Sequence, residues 1–203
     1  MKVPMRYQVT ECDCGPTTIL NGISYLLERE DIPPETVKNI YLYSMDNFRS
    51  DGSGITGTTH ESLRHITNWI DRLGKTGRIG IAARYISERE VSLDPDGSIA
   101  ETLRNGGVAI ARIDLDGSHF ILLTGLDDEW VYLFDPYMLD EPFPVPGVKV
   151  VHDHMYEYNR IVPRASFATE DVHPYSFGPY GTREAMLLMK KEPAEEDENG
   201  KKP

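Results

Sequence analysis

The chain has 203 residues, the length of one domain, and its 39% hydrophobic and 27% charged residues are those of a folded globular protein rather than a disordered one. Its 33 acidic against 21 basic residues give a net charge of −12, and the only dense basic spots, Lys190-Lys191 and Lys201-Lys202, lie near the end, which argues against a nucleic-acid reader. Neither a signal-peptide core after Met1 nor any run of 18 apolar residues is found, so a cytoplasmic protein that does not span a membrane is expected.

Apolar Ile19, Leu20, Ile23, Leu26 and Leu27 recur at three- and four-residue spacing over residues 15–29. That spacing predicts a helix with one buried stripe, beginning at or just after Cys14, with Pro16 suited to its first turn. A second helix is expected after Pro33-Pro34, with Val37, Ile40 and Tyr41 inward. A third starts at Thr58, whose hydroxyl can cap while Glu61 reaches back, and it carries Leu63, Ile66, Ile70 and Leu73 on one face.

After Gly77 the pattern turns to strands. Residues 79–86 read as one, 98–105 as a short helix stopped by Gly106-Gly107, and 108–113, 119–124 and 130–134 as three β-rich runs, the last two joined by an acidic turn at Asp127-Asp128. Residues 136–184 are rich in Pro, Gly, Tyr and His and read as long loops over a sheet, with strands only at 148–151 and 185–189. A single α+β domain over 1–190 and a disordered charged tail over 191–203 are expected, and the loops 46–58 and 138–184 are candidates to wall a cleft.

Several motifs fall short of their chemistry. Gly52-Ser53-Gly54-Ile55-Thr56-Gly57 has the dinucleotide glycine spacing, but polar residues precede it where a strand is required. Gly74-Lys75-Thr76 ends like a phosphate loop with Trp69 where the leading glycine belongs. His60 and His65 are five residues apart, which at about 100° per residue puts them roughly 140° apart around a helix, too far to share a metal. His152 and His154 with Cys12 and Cys14 form an alternative zinc set, although the one-residue cysteine spacing is atypical.

The two cysteines share the tripeptide Cys12-Asp13-Cys14, where a disulfide would be strained, so a reducing compartment fits. Cys14 stands at the mouth of a helix, where unpaired N–H groups and partial positive charge favour thiolate over thiol. Attack by that thiolate on a carbonyl creates an oxyanion, which the Cys14 N–H and the side-chain N–H of Gln8, six residues upstream, can hold. The matching base is His119, an ionisable ring opening an otherwise apolar strand. Asp135 ends the next strand, and a hairpin through Asp127-Asp128 would bring its carboxylate to the imidazole. Cys12 precedes the helix and is read as structural.

Gln8, Asp13-Cys14-Gly15-Pro16 at a helix start, Gly117-Ser118-His119-Phe120 and Asp135-Pro136 together resemble the papain-like cysteine peptidases, most nearly the bacteriocin-processing, double-glycine-leader branch and its stand-alone relatives. The likeness covers residues 7 to 27 and 107 to 137. In the processing enzymes the peptidase normally sits on a transporter with membrane spans and an ATPase, and these 203 residues carry neither pattern. The resemblance implies a helical half packed on an antiparallel sheet, with Cys14 as nucleophile, His119 as general base and acid, Asp135 as orienting residue and Gln8 as oxyanion donor. It also implies a peptide or small amide substrate and no metal or organic cofactor. Acyl transfer on the same fold and a catalytically silent peptide-binding module are the alternatives.

Overall fold

The computed structural model describes residues 1–115, 117–139 and 145–191. The expected tail therefore lies outside the described residues from position 192 on, as do 140–144 of the loop region. Four α-helices are found among the described residues: α1 (Cys14–Leu26), α2 (Pro34–Ser44), α3 (His60–Lys75) and α4 (Ser98–Arg104). A small hairpin is made by β1 (Asn47–Phe48) and β2 (Ile55–Gly57). The main sheet holds β3 (Ile81–Ser87), β4 (Val108–Asp114), β5 (Ser118–Leu126), β6 (Trp130–Phe134), β7 (Lys149–Val150), β8 (Arg160–Pro163) and β9 (Glu184–Lys190). Its seven strands run antiparallel in the order β3-β9-β4-β5-β6-β8-β7. The fold is α+β.

Both faces of the sheet are covered. On one, Ile110, Phe120, Leu122 and Leu188 meet Ile19, Ile23 and Ile70 of α1 and α3; on the other, Ala111, Ile121 and Leu123 meet Ile99 of α4 and the late aromatic residues Phe167, Tyr175 and Phe177. Period-two alternation is therefore invisible in the run 120–123, because each of its side chains is buried on one face or the other. The close approach of α1 to the sheet depends on Gly22, where a Cβ would sit 3.1 Å from Ile110 and 3.2 Å from Leu188.

Two local expectations are corrected. The cap of α3 is Thr59, whose hydroxyl accepts from Ser62 N at 3.2 Å, and not Thr58. Strand β8 falls within the stretch expected to be loop, yet it pairs with β6 through Leu133 and Arg160 and forms part of the sheet. The hairpin of β5 and β6 does turn at Asp127, whose side chain accepts from the N–H groups of Glu129 and Trp130. Among the described residues no helix is long and apolar enough to cross a membrane.

Candidate active site

Cys14 opens α1 and is 6% exposed. Helix geometry leaves the N–H groups of Cys14 and Gly15 without an intrahelical acceptor, and Pro16 has no N–H to leave unpaired. The loop before the helix is organised by Asp13, which is buried. Its carboxylate accepts from Val9 N at 3.2 Å, from Thr10 N at 2.7 Å and from the Thr10 hydroxyl at 2.7 Å. Burial raises the Asp13 pKa, but these hydrogen bonds outweigh it and hold the carboxyl below its ordinary value.

The same loop positions Gln8. Its backbone N–H donates to Pro136 O at 2.8 Å, so it lies beside the residue that follows Asp135. Its side-chain Nε2 donates to Thr10 O at 2.8 Å. The opposite amide orientation would set Oε1 against that carbonyl, so Nε2 keeps this place and retains a second hydrogen, and Gln8 is one of the residues that line the cleft.

Helix and sheet are docked at the site by Thr18, whose hydroxyl donates to Phe120 O at 3.0 Å. Thr18 is one helical turn beyond Cys14, and Phe120 follows His119, so this bond brings thiol and imidazole together. Cys14 and His119 line the same cleft, and Cys14 is among the groups that act on the His119 ring. The ring's Nε2 lies 2.8 Å from Asp135 Oδ1, so Nδ1 is the nitrogen that this bond leaves unused.

Asp135 and His119 meet for reasons of register. The pair Leu122 and Phe134, carried along the hairpin, sets His119 opposite Tyr137 and one diagonal step from Asp135, within reach of long side chains. Tyr137 accordingly meets the imidazole edge-on, with ring centroids 6.5 Å apart, and its N–H donates to Asp135 Oδ1 at 2.9 Å. Tyr175 donates its hydroxyl to Asp135 Oδ2 at 3.0 Å. Asn159 clamps the Asp135 backbone from both sides, accepting from its N–H at 2.7 Å and donating to its C=O at 2.8 Å.

His119 and Asp135 are 7% and 0% exposed. Burial by itself lowers the His119 pKa, but the Asp135 charge and hydrogen bond, joined by Cys14, outweigh it and raise the value to about 10. Burial raises the Asp135 pKa, and the His119 charge and hydrogen bond, the Tyr137 N–H and the Arg160 charge reverse that and hold it low.

A cleft of about 560 Å³ opens over these groups. Gln8, Cys12, Cys14 and His119 line it, with a polar wall of Glu11, Asn47, Thr56 and Ser118 and an apolar wall of Leu115, Tyr137, Leu139, Val145 and Pro174. Both loop regions named from sequence thus contribute to its walls. Such an arrangement can present a thiol and a charged imidazole in one cleft to a carbonyl carbon.

The structure therefore brings Cys14, His119, Asp135 and Gln8 together, and Cys12 lies in the same cleft, half-buried and free. Asp13, Asn159, Arg160 and Tyr175 went unassigned in the sequence. Only Asp13 carried a local signal there, as the acid at the N-cap position just before the helix. Among the described residues no group of three His, Cys, Asp or Glu side chains could hold a metal. His154 instead lies against Tyr158, with ring centroids 4.7 Å apart, and His60 pairs with the buried Glu184 at 3.0 Å. No family model matches the chain, and no curated protein matches it.

Proposed function

We propose that the protein is a thiol hydrolase of papain-like fold that cleaves a peptide or related amide bond. The observation that carries this reading is that Cys14, at the start of α1, lines one cleft with Gln8 and with His119, whose ring is hydrogen-bonded to the buried Asp135. An imidazole with a pKa of about 10 is charged at neutral pH, which sets a cation in the cleft where Cys14 opens its helix.

In this mechanism the Cys14 thiolate attacks the scissile carbonyl carbon, and the resulting oxyanion is held by the Cys14 N–H and the free Gln8 Nε2–H. His119 gives its Nδ1 proton to the leaving nitrogen, the C–N bond breaks, and an acyl-enzyme thioester remains. Neutral His119 then takes a proton from water, the hydroxide attacks the thioester, and the acid product leaves with the Cys14 thiolate and the imidazolium restored. Asp135 keeps its charge throughout and holds the ring orientation. The two free cysteines suit a reducing compartment, and the cytoplasm is part of this reading, as is the absence of a nucleic-acid partner.

Trapping tests it directly. A panel of peptide aldehydes and chloromethylketones, read by intact mass, is expected to give a single adduct on the native chain and none on Cys14→Ala. Alkylation of Cys14 by iodoacetamide should remain fast below pH 7. No adduct from any panel member, together with reactivity like that of a free thiol, would leave a peptide-binding module in place of the enzyme.

A further inference from the structure

Tyr175 is a bulky residue in the left-handed region, at φ 67°, a conformation uncommon for any side chain with a Cβ. The turn that holds it there is tied at several points. Ser176 N–H donates to His173 O at 2.9 Å, and His173 N–H donates to the Ser176 hydroxyl at 3.2 Å. Two further backbone bonds fasten the turn to the end of β4: Tyr175 N–H donates to Asp114 O at 2.8 Å and Asp114 N–H to Ser176 O at 2.9 Å. The ring is fully buried and packs against Phe167, with centroids 6.3 Å apart.

All this backbone constraint delivers one polar atom. The phenolic O–H donates to Asp135 Oδ2 at 3.0 Å, the oxygen that His119 does not use, and the buried Arg160 guanidinium acts electrostatically on the same phenol. Hydrogen bonds then run from Tyr175 through Asp135 to His119, which shares its cleft with Cys14.

We propose that Tyr175 is a positioning residue for the Cys14 and His119 pair, acting through Asp135: its hydroxyl fixes the second carboxylate oxygen and moderates the charge that Asp135 presents to the imidazole. This rests on the hydrolase reading of the site. The groups that face Asp135 and His119 are Cys14 from α1, Tyr137 after β6, Asn159 and Arg160 at β8, and Tyr175 itself. A donor withdrawn from Oδ2 leaves more carboxylate charge for His119, which raises the ring's proton affinity; a stronger donor at that oxygen does the reverse.

The test uses the full chain, Tyr175→Phe, and the chain with 3-fluorotyrosine at position 175, whose phenol is more acidic and a better donor. Ring ¹⁵N shifts of His119 are followed against pH, and the Cys14 alkylation rate is followed in parallel by mass. In Tyr175→Phe the His119 midpoint is expected to rise by about half a unit to one unit, with the alkaline change in Cys14 reactivity moving with it. Fluorotyrosine is expected to shift both downward; being nearly isosteric with tyrosine, it keeps the question answerable should Tyr175→Phe fold poorly. A His119 midpoint that is the same in all three chains, or that moves in one direction with both replacements, makes Tyr175 an ordinary core ring and overturns the proposal. Slow, ordinary Cys14 alkylation in the native chain would instead overturn the hydrolase reading, and the ring titration still decides the coupling from Tyr175 to His119.

Discussion

Asp135 carries more of the site than its single carboxylate suggests. Fully buried, it accepts hydrogen bonds from His119, Tyr137 and Tyr175, while Asn159 fixes its peptide on both sides. A buried charge held this way is stable only with its partners, and removing one side of such a pair typically costs about 3–5 kcal/mol. The pairing has a pH signature whose sign follows from the shifts. His119 is raised from its ordinary 6.5 to about 10, so its contribution to stability is complete below pH 6.5 and is lost as the pH climbs through 10. Asp135 is lowered from its ordinary 3.8, so its contribution is present above that value and is lost as acid protonates the folded form. Urea midpoints of the native chain should therefore fall between pH 6.5 and 10, and Asp135→Asn, which removes the charge holding the proton on His119, should lose most of that fall. Equal pH slopes in the two chains would mean that the carboxylate does not set the imidazole's charge.

At the level of elements, the site depends on how closely α1 approaches the loop before α3. A Cβ on Gly15 would lie 2.1 Å from the Thr58 hydroxyl oxygen, a distance no packing tolerates, so glycine follows Cys14 because Thr58 occupies the side-chain space. Gly15→Ala should destabilise the fold by about 1–3 kcal/mol through overpacking and displace the start of α1. Thr58→Gly removes the obstructing atoms, so a double-mutant cycle by thermal unfolding should show the pair coupled by at least about 1 kcal/mol; additive losses would show that the contact is not what excludes a side chain. The same contact explains why the cap of α3 was misread. Thr58 and Thr59 both suit a cap, but the Thr58 hydroxyl is turned into Gly15, and Thr59 takes the cap instead. The helices, and strands β3 to β6 and β9, were readable because apolar spacing and Gly or Pro boundaries are local properties. Strand β8 was not, since Arg160 and Pro163 leave only Ile161 and Val162 as β signals in four residues. The site divides the same way. Cys14, Gln8, His119 and Asp135 follow from chemical logic and chain order. Tyr175 and Asn159 matter only through contacts 40 and 24 residues away, which no local pattern records.

Over the whole molecule, the site lies where distant parts of one sheet and one helix meet, inside a strongly negative surface. The chain's net charge is −12, and among the described residues that line the cleft Glu11 is the one carboxylate, with neither lysine nor arginine beside it. The imidazolium and the thiolate of the proposed resting state cancel each other, as do Asp135 and Arg160, so the charges left near the cleft are Glu11, the buried Asp13 carboxylate and the acidic surface. On the proposed function, a substrate approaching it meets a negative potential, which attracts cationic side chains and repels anionic ones. Solution salt shortens the reach of that potential from about 30 Å at 0.01 M to about 8 Å at 0.15 M, so its effect on encounter is adjustable without touching the chemistry. For two amide substrates that differ only in a lysine or a norleucine near the scissile bond, raising salt over this range should lower kcat/KM for the lysine substrate and leave the norleucine one nearly unchanged. Glu11→Gln should reduce the difference between the two at low salt while the pH profile keeps its shape, since the charge that raises His119 most is that of Asp135. The same salt response for both substrates would mean that the surface charge plays no part in what the cleft selects.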